Sequence, residues 1–138
     1  ELASGVFFQG ADGTFEFRPL PALAQVSPIS GIIARDLDGD GIPDVYCVGN
    51  NFGPEPSTGR FDGGVSVLLK GDGHGGLSAV PVWKTGLLAP GDTRGAVLVE
   101  APGGKGAPSI AVSVSNGAVL LFSPNPHPGP ERSPLALP

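Results

Sequence analysis

Cysteine occurs once and methionine not at all in the 138 residues. A single thiol excludes an intrachain disulfide. Cys47, set in the apolar run Val45-Tyr46-Cys47-Val48, reads as a small buried hydrophobe rather than a nucleophile. No apolar run approaches the roughly 18 residues a membrane helix needs, and no long stretch shows a 3.6-residue apolar period. Charged residues are only 15% of the chain and the net charge is −5, which argues against nucleic acid and against an anionic membrane surface as partners. Of the two histidines, His74 lies in a glycine turn and His127 in a proline-rich stretch. With no nucleophile elbow, zinc motif or P-loop, the chain is not expected to be an enzyme. No signal peptide is visible and the first residue is Glu1 rather than Met, so a processed protein or a piece of a longer one is expected.

Glycine and proline are abundant instead, at 23 and 16 residues. Placed between short apolar runs, they predict one compact all-β domain rich in turns. Strands are expected at 5–9 and 14–18, joined by the turn Gly10-Ala11-Asp12-Gly13, and at 31–35 and 45–49. Further strands are expected at 64–70 and 77–83, joined by a Gly-rich turn, then at 95–100, 109–115 and 117–122, with Asn116-Gly117 as a hairpin turn. Residues 20–30 read as a connector. Residues 50–63 read as a long loop with two exposed aromatics, a candidate binding surface. Six of the last sixteen residues are Pro, so 123–138 reads as an extended tail or linker after a strand-bearing region of 1–122.

The densest chemistry lies at Asp36-Leu37-Asp38-Gly39-Asp40-Gly41-Ile42-Pro43-Asp44. Four carboxylates crowd into nine residues, where they repel one another without a cation. A hard cation such as Ca²⁺ takes six to eight oxygens in a flexible cage. The side chains of Asp36, Asp38, Asp40 and Asp44, with the backbone carbonyl of Ile42, are the expected ligands of one calcium ion. Gly41 permits the sharp turn. The start of the pattern also fits an EF-hand loop, but the twelfth position is Cys47 rather than Glu, and the flanks are strand-like rather than helical. A calcium hairpin between two strands is therefore expected.

The chain also repeats itself. Asp12-Gly13-Thr14-Phe15 falls on His74-Gly75-Gly76-Leu77 at an offset of 62, and Ile32-Ile33-Ala34-Arg35 falls on Val97-Leu98-Val99-Glu100 at an offset of 65. At the latter offset Asp36, Asp38, Asp40 and Asp44 meet Ala101, Gly103, Lys105 and Ser109, so the second loop has lost its ligands. Lys105, or Gly/Pro rigidity, is expected to hold that loop instead. Arg35 and Glu100 either form an ion pair on adjacent strands or are separately solvated.

Asp-Leu-Asp-Gly-Asp-Gly-Ile-Pro-Asp-Val at 36–45 resembles the core of FG-GAP/VCBS repeats, the calcium-loop blades of integrin-α-type β-propellers, and Gly-Ala-Asp-Gly-Thr-Phe at 10–15 resembles the turn between the outer strands of such a blade. The resemblance spans about residues 5–122. It implies antiparallel β-propeller-type blades, here one complete four-stranded blade flanked by two partial blades, with one calcium ion on the ligands already named. A propeller needs about four to eight blades to close, so the chain is expected to be part of a longer propeller or a homo-oligomer.

The expected function is an extracellular (secreted or cell-surface), calcium-stabilised, non-catalytic binding or adhesion module for a protein or glycan ligand. Millimolar extracellular calcium suits such a loop. Two other assignments stay open. One is a self-assembling structural subunit of an extracellular ring or filament, joined to other copies through open sheet edges and the Pro-rich tail. The other is a propeller segment of a larger secreted enzyme.

Overall fold

The computed structural model describes residues 3–53, 57, 59–104 and 106–124. Among the described residues, nine strands lie in three antiparallel sheets. β1 (Gly5–Gln9) and β2 (Phe15–Pro19) form a two-stranded sheet. β3 (Ile29–Arg35), β4 (Asp44–Gly49), β5 (Val67–Gly71) and β6 (Leu77–Val80) form a four-stranded meander. β7 (Thr93–Val99), β8 (Ser109–Val114) and β9 (Leu120–Phe122) form a three-stranded one. The all-β class and the division into one whole sheet between two partial ones are as the sequence predicts. The expected 123–138 tail lies outside the described residues from 125 onward.

Period-two alternation gives each strand two faces, and the sheets use them to stack. Leu20, Ala24, Cys47 and Leu69 form a core between the two- and four-stranded sheets. Ile33, Tyr46, Val48, Ala89, Ile110 and Val112 form a second core between the four- and three-stranded sheets. Full burial of one such side chain stabilises by about 1.5–3 kcal/mol. At the second junction Ser30 Oγ donates to the Thr93 carbonyl, and the fully buried Thr93 Oγ1 donates to the Gly49 carbonyl. The innermost strands β3 and β7 are thus stitched at their N-terminal ends.

Three element boundaries differ from the sequence expectation. Residues 64–66 are not strand: Ser66 has φ 75°, and its hydroxyl donates to the Leu87 carbonyl at 2.6 Å while accepting from Ala89 N–H at 3.3 Å. Trp83 is not at a strand end. Pro81 stops β6, and Trp83 falls in a helical turn, α1 (Val82–Thr85), 79% exposed. At Asn116-Gly117 only Asn116 takes positive φ (55°), whereas the tight two-residue hairpin needs both. β9 accordingly begins three residues later than expected, at Leu120.

The repeat needs a one-residue correction. The β3–β4 hairpin ends on the pair Arg35–Asp44, and the β7–β8 hairpin on Val99–Ser109, so the second loop is one residue longer. β-bulges fall at Ile29/Gly31 and at Thr93/Gly95. The first strands therefore correspond at an offset of 64, and only the second strands at 65. A one-residue slip exchanges the two faces of a strand. Ile33 is the counterpart of Val97, Arg35 of Val99 and Asp36 of Glu100. The offset of 62 stands. Hairpins 10–14 and 72–76 are both closed by an N–H to C=O bond between their ends, Gly10 to Thr14 at 2.8 Å and Asp72 to Gly76 at 3.1 Å.

Candidate metal centre

The loop 36–43 folds around its own carboxylates. Positive φ at Gly39 (85°) and Gly41 (83°) turns the backbone N–H groups inward, a conformation open to glycine at no steric cost. Asp36 accepts from Gly39 N–H at 2.7 Å and from Gly41 N–H at 2.9 Å. Asp38 accepts from Asp40 N–H at 3.2 Å, and Asp40 from Ile42 N–H at 2.8 Å. These are local side-chain-to-backbone bonds of the kind Asp forms in turns.

One oxygen from each of Asp36, Asp38 and Asp40 lies within 4.8 Å of the other two. Two oxygens sharing one calcium ion at 2.3–2.6 Å lie no further apart than about 5 Å, so the three carboxylates fit a common hard cation. Hard oxygen donors with no nitrogen or sulfur among them favour Ca²⁺ or Mg²⁺ over transition metals.

Asp44 takes a different place. It is buried at 1% exposure, accepting from Leu37 N–H at 3.2 Å and from Gly71 N–H at 3.1 Å. It clamps the start of the loop to the end of β5. Ile42 gives its N–H to Asp40, and its side chain lies over Gly71 and Gly73.

Lys70, on β5, is the residue that spacing along the chain does not reveal. Its ammonium contacts Asp38 and lies 2.9 Å from Asp40. The Lys70 ammonium and the Ile42 N–H hold the Asp40 carboxyl below the usual carboxylate range. Asp38, then Asp40, push the Lys70 ammonium up. The linear signal is absent because the contact spans 32 positions and depends on the β4–β5 pairing.

Beside the loop, the four- and three-stranded sheets leave a cleft of about 460 Å³. Its wall is apolar, with Leu37, Leu68, Ile110 and Phe122, and its rim carries Asp38, Lys70 and Lys84. The 50–63 loop, the surface favoured by sequence, is pinned at its neck. Asn51 and Phe61 exchange backbone bonds at 2.8 and 2.9 Å, and Arg60 lies over the Phe52 ring at 5.3 Å. Residues 54–56 and 58 lie outside the described residues. Asn50 is buried with φ 94° and donates to the carbonyls of Gly64 and Gly91 at 2.7 and 2.9 Å, while accepting from Gly64 N–H at 2.9 Å.

The second inner hairpin carries no such acidic group among its described residues. Glu100 is paired to Arg35 at 3.6 Å, both side chains more than half exposed, an arrangement that contributes little to stability. The holding role expected of Lys105 falls on a residue outside those described. Cys47 is buried as expected, and burial pushes its thiol up to about 11.

Residues 3–47 match the FG-GAP-like repeat family. The matched unit begins in the two-stranded sheet and ends in β4, so it straddles two sheets and encloses the whole acidic loop. The match covers about a third of the chain, so this stretch is similar to an FG-GAP-like repeat, and the three antiparallel sheets are consistent with partial propeller blades. No curated protein and no solved structure matches it. Among the described residues, no helix is long and apolar enough to cross a membrane.

Proposed function

We propose that this chain is part of an extracellular, calcium-stabilised, non-catalytic binding or adhesion module. The observation that carries the reading is the convergence of Asp36, Asp38 and Asp40 at the inner hairpin of the one complete sheet. These three side chains, with the Ile42 carbonyl, would hold the ion, and Asp44 would join them by turning from its backbone donors. Bound calcium supplies charge neutralisation and a cross-link between strands β3 and β4. Extracellular placement rests on the repeat family and on the calcium concentrations such loops need. A protein or glycan ligand would meet the cleft beside the loop or the 50–63 loop. Calorimetric titration with CaCl₂, together with melting in calcium and in chelator, tests the reading. Heat of binding at one site per chain and a higher Tm with calcium support it; no heat and equal melting temperatures overturn it.

A second reading, assembly through the end sheets, is favoured by a separate observation. Phe7 is 66% exposed, yet its counterpart Leu69 in the complete sheet is fully buried. Val97 is 60% exposed, yet its counterpart Ile33 is 7% exposed. Phe7 and Phe15 on one end, and Val97 and Leu121 on the other, have the character of blade faces waiting for a further blade, from the same polypeptide or from another copy. Light scattering across concentration tests it. Mass that rises with concentration, and that Phe7→Asp or Val97→Asp returns to one chain, supports self-assembly; a constant monomer mass rules it out for this chain.

A further inference from the structure

We infer that Lys70 is a tethered competitor for the cation of the acidic loop, lowering the loop's calcium affinity while holding its shape without metal. The inference rests on the calcium reading above. The Lys70 ammonium touches Asp38 and Asp40, two of the three carboxylates whose oxygens converge. A cation within 2.3–2.6 Å of those oxygens occupies the same space. The two positive charges cannot both sit there, and the flexible four-carbon stem of lysine lets the ammonium withdraw.

The internal repeats give independent support. Leu68 pairs with Tyr46, and Leu121 pairs with Ala111. Leu121 is therefore the counterpart of Leu68, and Ser123 that of Lys70. The hairpin-closing pairs Gln9–Phe15 and Gly71–Leu77 make Phe8 the other counterpart. Of the two inner hairpins in this sequence, only the acidic one has a lysine at that position of its third strand. The second inner hairpin keeps only Glu100, the counterpart of Asp36, with no acid at 101–108, and there the position of Lys70 is taken by Ser123. An ordinary surface lysine has no reason to follow the acids.

Without metal, the ammonium offsets the mutual repulsion of the three carboxylates. With metal, a neighbouring positive charge opposes the incoming ion. At an exposed, solvent-screened site, a unit charge about 5 Å from a divalent ion alters its affinity on the order of tenfold. The loop would then fill only at the millimolar calcium of an extracellular setting.

The test compares wild type, Lys70→Gln and Lys84→Gln by calcium titration calorimetry and by melting in chelator and in calcium. Lys84 lies on the rim of the same cleft and controls for loss of one charge. The expected result is about tenfold tighter calcium binding by Lys70→Gln, a lower Tm than wild type in chelator, and a larger rise in Tm on adding calcium. Equal affinity of Lys70→Gln and wild type overturns the inference and leaves the calcium site standing. Equal tightening by Lys84→Gln also overturns it, because the effect is then a general field. If neither wild type nor Lys70→Gln takes up calcium, the calcium reading fails and this one with it.

Discussion

Gly31 and Gly95 meet backbone to backbone where β3 and β7 cross: a Cβ on Gly31 would lie 2.8 Å from Gly95 Cα and 2.7 Å from Ala96 N. Both glycines sit at the β-bulge of their strand, but a Cβ on Gly95 would meet only Ser113 Oγ, at 3.5 Å, so the tight side of the contact is Gly31. A methyl at Gly31 meets backbone, which has no rotamer to yield. Gly31→Ala is expected to lower stability by about 2–3 kcal/mol, the upper range for overpacking. Urea unfolding measures it. A change below about 0.5 kcal/mol would show that β3 and β7 separate easily.

Asp44 and Asp38 separate structural from metal-dependent roles. Asp44→Ala strands the partly buried N–H of Leu37 and the buried N–H of Gly71 and is expected to cost about 2–3 kcal/mol even in chelator. Asp38→Ala removes an exposed carboxylate bonded to Lys70 and the Asp40 N–H. It is expected to change metal-free stability by less than about 1 kcal/mol and to abolish most of the calcium-induced rise in Tm. Melting curves of both variants, with and without calcium, check the contrast.

Asn50 satisfies three polar groups at once, the Gly64 N–H and the carbonyls of Gly64 and Gly91. Asn50→Ala leaves these partly buried groups without that partner and places alanine at positive φ. A loss of about 2–4 kcal/mol is expected. Proteolysis of the 50–63 loop should speed up in parallel, because the same side chain closes its neck. Unchanged cleavage would separate loop closure from Asn50.

Cys47 gives the pH dependence. Its ordinary value near 9 is pushed up to about 11 by burial. The folded state therefore favours the neutral thiol. The stability this supplies is complete below pH about 9 and is lost as pH rises from about 9 towards 11. Unfolding at pH 8 and pH 10.5, in wild type and Cys47→Ala, should show a smaller fall for the variant. The folded thiol should also react with an aromatic disulfide far more slowly than the unfolded one; equal rates contradict burial.

The local devices are legible from neighbouring residues alone. Asp-Gly and Asp-Leu-Asp-Gly-Asp-Gly fold by bonds reaching two to five positions, so their residues announce the turn, the strands on each side and the convergence of Asp36, Asp38 and Asp40. The grouping of strands into two, four and three was legible for the same reason, since meanders join neighbours. Long-range packing sets the roles of the other residues. Asp44 became a clamp, Lys70 a cation beside the loop and Asn50 a brace because their partners lie at least seven positions away, where linear spacing says nothing. The exposure of Phe7 and Val97 depends on which sheet ends the stack. Val97-Leu98-Val99 is apolar at every position, so hydrophobicity fits either face, and only the hydrogen-bonded register with β8 fixes which side chains point to the core.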